Sequence, residues 1–99
     1  MIKLTEKQDE ILTILIEECA EVIQAATKIK RFGLDSNNQG INEHDNHIHM
    51  SMEVGDLMAM IKLSEDNGII DSQTVRNSAT QKLYKLDKFS TYIKSKDTK

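Results

Sequence analysis

Five carboxylates occur in two short clusters: Glu17, Glu18 and Glu21, then Glu53 and Asp56. Residues three or four apart project from one side of a helix, so Glu17 with Glu21, Glu18 with Glu21, and Glu53 with Asp56 are same-side pairs. A helical projection sets them against their apolar neighbours. With Glu17 at zero, Glu21 lies at about 40° and Glu18 at about 100°, among Ile14, Ala25, Ile11 and Ile29 at about 60°, 80°, 120° and 120°. With Glu53 at zero, Asp56 lies at about 300° and His49 at about 320°, flanked by Leu63, Met60, Leu57 and Met50 at about 280°, 340°, 40° and 60°. Glu18, Glu53 and Asp56 are thus expected within faces that should be buried, with Glu21 at the edge. Lys82 repeats the anomaly with opposite sign, lying between Phe89 and Leu86 in the apolar stripe of a third helix.

Buried carboxylates without a partner cost several kcal/mol or take up a proton, and neighbouring ones repel. A hard divalent cation such as Mg²⁺ relieves both problems, since carboxylate oxygens are its preferred ligands and it commonly recruits substrate phosphates as well. One Glu-x-x-Glu pair alone would read as a solvated helix face; two pairs inside apolar stripes do not. Lys82 has a matching use as a phosphate counter-charge, against the plainer reading of a snorkelling stem. Of the histidines, His44 and His47 fall on other faces and are expected at the surface. His49 shares the carboxylate face and is a candidate for substrate or metal contact, or for a structural role. Cys19, at about 200°, is expected as a small core residue and not a nucleophile. Met50, Met52, Met58 and Met60 are expected to fill the core.

Three helices must position these groups. Thr5-Glu6-Lys7-Gln8 matches a capping box, and the apolar period Ile11, Leu12, Leu15, Cys19, Val22, Ile23, Ala26, Ile29 runs to Gly33, a suitable stop after Lys28, Lys30 and Arg31. A polar loop follows over about 33–42. Asn42 is the expected cap of a second helix reaching about Asp66, ended by Asn67-Gly68. Asp71 or Ser72 caps a third, with the stripe Val75, Ala79, Leu83, Leu86, Phe89 and Ile93. A frayed tail is expected over about 95–99. No proline interrupts these patterns.

At 99 residues, the chain suits one domain spanning 1–99 and a modest core. The expected class is all-α, a bundle of three main helices per chain. The first helix has an apolar arc of roughly 200°, wider than one neighbour covers, so completion by homo-oligomerisation, as a dimer or tetramer, is expected. A formal net charge of -3 gives no general attraction to nucleic acid. The longest apolar run, Ile11 to Ile16, is too short to span a bilayer. One cysteine permits no intramolecular disulfide and fits a reducing compartment, and no secretory signal is visible. The expected location is cytoplasmic.

The segments Glu17-Glu18-Cys19-Ala20-Glu21 and Glu53-Val54-Gly55-Asp56 resemble the paired signature of the MazG-like all-α nucleoside triphosphate pyrophosphohydrolases, Glu-Glu-x-x-Glu on one helix and Glu-x-x-Asp on the next. The resemblance extends through Val22 to Ala26, Lys28 to Gly33 and Leu57 to Ile61. The compact length is similar to short phage-encoded members, which would place the chain in a host cytoplasm. The resemblance implies hydrolysis of a (deoxy)nucleoside triphosphate to the monophosphate and pyrophosphate with Mg²⁺ or Mn²⁺. By motif match, Glu18, Glu21, Glu53 and Asp56 are the implied metal ligands, and Glu17 binds a further ion or positions the attacking water. Departures are the long interval from Glu21 to Glu53, and Ser51 and Met52 where many relatives carry further acidic residues.

The expected chemistry is attack of a metal-activated water on the α-phosphorus, with Glu17 or Glu18 taking its proton and Lys82 absorbing charge on the departing pyrophosphate. Lys28 and Arg31 flank the carboxylate edge of the first helix as phosphate ligands; His49 is a further substrate-binding candidate. Two rivals predict different behaviour. A di-iron carboxylate bundle calls for Glu-x-x-His pairs, absent from both motifs. A non-catalytic helical nucleotide-binding or interaction protein would show no turnover with Mg²⁺.

Overall fold

Local capping chemistry sets the helix ends. The computed structural model describes residues 2–35 and 45–94, and within them the chain is all-α, with three helices and no strand. Helix α1 spans Glu6–Phe32. Thr5 Oγ1 accepts from the Gln8 N–H at 3.0 Å and Gln8 Oε1 accepts from the Thr5 N–H at 3.0 Å, so two otherwise unpaired donors are satisfied reciprocally. Glu6 and Asp9 in the first turn and Lys30 and Arg31 in the last complement the helix dipole. The helix stops at Gly33, whose φ of 95° is a conformation that side chains with a Cβ rarely adopt.

Helix α2 spans Asn46–Asp66 and helix α3 spans Ser72–Phe89. The second helix starts later than expected: the residue before it is Asp45, not Asn42, which lies outside the described residues together with His44, most of the polar loop and the 95–99 tail. At the other end Asn67 is the C-cap, as the Asn-Gly pair implies. The third helix is capped by Asp71, whose Oδ2 accepts from the Thr74 N–H at 2.9 Å and from the Thr74 hydroxyl at 2.7 Å. These two bonds hold the Asp71 carboxyl below the usual carboxylate range. Helix α3 ends at Phe89, so Ile93 falls beyond it. Ser90 takes an extended conformation there, and its hydroxyl accepts from the Ile93 N–H at 3.0 Å.

The chain divides into two compact units, Met1–Ile69 and Ile70–Lys99. In the first, two side-chain clasps make α1 and α2 an antiparallel pair. Gln8 Nε2, near the start of α1, donates to the Asn67 carbonyl past the end of α2 at 2.7 Å. Asn46 Nδ2, at the start of α2, donates to the Gly33 carbonyl past the end of α1 at 3.0 Å. Between the clasps Ile11, Ala25, Met60 and Ser64 are buried. Ala25 and Ser64 are small enough for close approach, and the Ser64 hydroxyl donates to the Met60 carbonyl one turn back at 2.7 Å, so its burial leaves no donor unpaired.

One helix covers only part of the α1 stripe. Ile11 and Ala25, near 100° on the wheel, are buried, while Cys19, Ile16 and Ile23 beyond about 200° are exposed. Cys19 is therefore not a core residue of this chain, because its sector lies outside the arc that α2 shields. Of the four methionines expected in the core, Met60 is buried and Met50 half-buried, while Met52 and Met58 are exposed on other faces of α2. In the second unit, α3 carries no buried side chain; Leu83, Phe89 and Lys82 are exposed.

Candidate metal centre

The antiparallel register sets Glu18, in the middle of α1, opposite Glu53 and Asp56, in the middle of α2. One carboxylate oxygen from each of the three lies within 4.8 Å of the other two. Glu18 and Glu53 are half-buried, and Asp56 is exposed. Asp56 therefore stands at the rim of the buried face and not in its middle. Asn46, Met60 and Ser64, at about 20°, 340° and 20° on the wheel of α2, hold that middle together with Glu53.

The electrostatics are those of an uncompensated cluster. Partial desolvation pushes the Glu18 carboxyl above its ordinary value, and the charges of Asp56, Glu53, Glu21 and Glu17, in that order, push it further. Among the described residues no lysine or arginine forms an ion pair with any of these five carboxylates. The one side chain paired with them among the described residues is His49, whose Nε2 is 3.3 Å from Glu53 Oε2. Three converging carboxylates with no lysine or arginine partner among the described residues, one of them with its carboxyl value raised, are a donor set that fits a hard divalent cation.

Glu17 and Glu21 are exposed on α1 and outside the close group, although both reach Glu18 electrostatically. Lys28 is half-buried two turns beyond Glu21 on the same face; Arg31 is exposed, with its guanidinium carbon 5.1 Å from the Phe32 ring centre. Lys82 is exposed on α3. His47 lies at the surface as expected, its Nδ1 3.2 Å from the Leu34 carbonyl.

Sequence reasoning missed a cleft beside the carboxylates. Lys7, Glu10, Ile11, Ile14, Met60 and Leu63 line a hollow of about 250 Å³. Ile14 is one turn before Glu18 and Met60 one turn after Asp56, so the hollow adjoins the cluster. Its signal was present in the wheel of α1, where Glu10 falls at about 20°, beside Glu21. A larger hollow of about 380 Å³, lined by Ile29, Leu34, His47, Met50, Ser51 and Val54, takes in none of the five carboxylates. Val54 and Ser51, at about 100° and 160° on α2, face away from Asp56, so size does not mark the chemistry here.

The raised Glu18 value has a consequence for stability. The folded state holds this proton more tightly than the unfolded chain does, so stability contributed by protonation is present on the acid side and lost as pH rises through the raised value. In the presence of a chelator, Glu18→Gln should melt higher than the parent at neutral pH, and the gap should close as pH falls through the raised Glu18 value. Thermal melts of the two proteins across pH check this; a gap independent of pH would show that Glu18 is not under strain from its neighbours.

A family model described as the MazG nucleotide pyrophosphohydrolase domain matches residues 6–89. No curated protein and no solved structure matches the chain.

Proposed function

Because this chain belongs to the MazG nucleotide pyrophosphohydrolase family, we propose that it is a metal-dependent enzyme that hydrolyses a nucleoside triphosphate to the monophosphate and pyrophosphate. The observation that carries the reading is the convergence of Glu18, Glu53 and Asp56 from two helices with no lysine or arginine partner among the described residues. These three would hold the cation, Mg²⁺ or Mn²⁺, with Glu21 as a further ligand on the exposed edge of α1. When bound, such an ion neutralises phosphate oxygens and acidifies a coordinated water.

The chain's own residues supply the rest. Glu17, exposed and adjacent to Glu18, is positioned to take a proton from water or to hold a further ion. Glu18 is the alternative base, since its raised value brings it nearer the working pH of a proton acceptor. Lys28 and Arg31 present positive charge along the C-terminal part of α1 for the phosphates, and Lys82 is read as a further counter-charge from its chemistry. The hollow walled by Ile14, Met60 and Leu63 would take the nucleoside, because it adjoins the carboxylates that would hold the cation. We read residues 1–99 as one domain, since the family match crosses residue 69. No helix among the described residues is long and apolar enough to cross a membrane.

A panel of canonical and modified nucleoside triphosphates, incubated with Mg²⁺ and assayed for pyrophosphate, tests the activity and identifies the preferred base and sugar. No release from any member would leave a binding protein and remove the enzyme assignment.

The enzyme is proposed to act as a homodimer or homotetramer. Ile16 and Ile23 on α1, and Ile48, Met52 and Met58 on α2, are each more than two-fifths exposed. Together they present apolar surface that neither helix covers for the other, and symmetric self-association is the usual way to bury it. Light scattering should report a dimer or larger at micromolar protein; a stable monomer would contradict the proposal.

A further inference from the structure

His49 is not used by the chemistry above, yet among the described residues it is the only side chain paired with a carboxylate of the cluster. It lies one turn before Glu53 on α2, the spacing at which side chains meet. Its Nε2 is 3.3 Å from Glu53 Oε2, and the two side chains are 25% and 15% exposed. The close group of three carboxylates includes neither nitrogen of His49, so the imidazole reaches the cluster only through Glu53.

We propose that His49 is a positioning residue: from its ion-pair distance of 3.3 Å, the imidazole turns its Nε2–H to Glu53 Oε2 and holds that carboxylate in the orientation that receives the cation. The inference rests on the reading of Glu18, Glu53 and Asp56 as metal ligands. The physical need is specific to Glu53. It is the more enclosed partner of the Glu53–His49 pair, and among the described residues no other donor reaches it. Without the imidazole its side chain would be free to turn away from the repulsion of Glu18 and Asp56, and each binding event would have to reorder it. Partners of this kind orient metal-binding carboxylates and raise affinity.

The test is Mn²⁺ binding without nucleotide, followed by the electron paramagnetic resonance signal of the free ion, on the parent, His49→Ala and His49→Gln. Glutamine retains an N–H donor at a similar reach, and alanine retains the helix without the donor. His49→Ala is expected to bind Mn²⁺ about 10- to 100-fold more weakly, with His49→Gln close to the parent. Circular dichroism of all three should be the same. In turnover the alanine change should fall on the Mg²⁺ concentration required, leaving the nucleotide KM at saturating Mg²⁺ in place. Equal Mn²⁺ affinity of the alanine variant and the parent would overturn the proposal alone. So would a glutamine variant as weak as alanine, or a defect confined to the nucleotide KM. A parent that binds no Mn²⁺ would overturn the metal reading as well.

Discussion

Glu53→Gln and Asp56→Asn should each lower turnover more than about 100-fold at ordinary Mg²⁺, since losing only a supporting partner of a ligand already costs 10- to 100-fold. Both changes are nearly isosteric, so helix content should be unchanged by circular dichroism. Each removes one negative charge from a group in which three carboxylate oxygens lie within 4.8 Å of one another. In the metal-free protein that removal relieves repulsion, and the melting temperature should stay level or rise. Function and stability would then move in opposite directions, as is common where a site is built from mutually unfavourable groups. The contrast separates a metal centre from an ordinary helix surface, where the same substitutions would alter neither quantity much. Full activity of either variant at ordinary Mg²⁺ would take that residue out of the site.

The products should be nucleoside monophosphate and pyrophosphate in equal amounts, with no diphosphate formed on the way. No stretch of the sequence resembles Gly-x-x-x-x-Gly-Lys-Ser/Thr, so the backbone cradle by which P-loop enzymes direct cleavage at the γ-phosphate is missing. The chain instead sets Glu18 on α1 opposite Glu53 and Asp56 on α2, with Glu17 and Glu21 exposed beside Glu18. That arrangement suits a triphosphate held on both sides of its α–β bridge, with the nucleoside in the hollow at Ile14 and Met60. Hydrolysis in ¹⁸O-labelled water distinguishes the point of attack. Label in the monophosphate means attack at the α-phosphorus, which is expected; label only in pyrophosphate means attack at the β-phosphorus. Release of orthophosphate with a nucleoside diphosphate would sink the pyrophosphohydrolase assignment while leaving the metal centre standing.

Helix boundaries were legible where they depend on neighbours in the chain. Thr5 and Gln8 close their capping box, Gly33 and Asn67 end their helices, and Asp71 caps the third, because the groups concerned are within a turn of one another. The start of α2 was less legible. Asn42, Asp45 and Asn46 are all plausible caps by type, and Asn46 instead lies in the first turn with its amide on Gly33 of the other helix. The expected core fared unevenly for a related reason. A wheel shows which side chains share a sector but not how wide an arc the partner covers, so Cys19 lay in the right stripe and remains exposed.

Sequence alone determined that the chain is helical, where its first helix begins and ends, and that five carboxylates stand in pairs on two helices. Those properties follow from backbone hydrogen bonding and the 3.6-residue period, which act over a few residues. Tertiary structure decided which of the five converge. The antiparallel clasps at Gln8–Asn67 and Asn46–Gly33 set the height of α1 against α2, and that height brings Glu18 to Glu53 and Asp56 while Glu17 and Glu21 stay outside the close group. It also decided that Asp56 stands at the rim, and that a hollow of about 250 Å³ opens one turn away from the cluster. A wheel projects along the helix axis and discards axial position, and axial position is what determines whether charges on two helices meet.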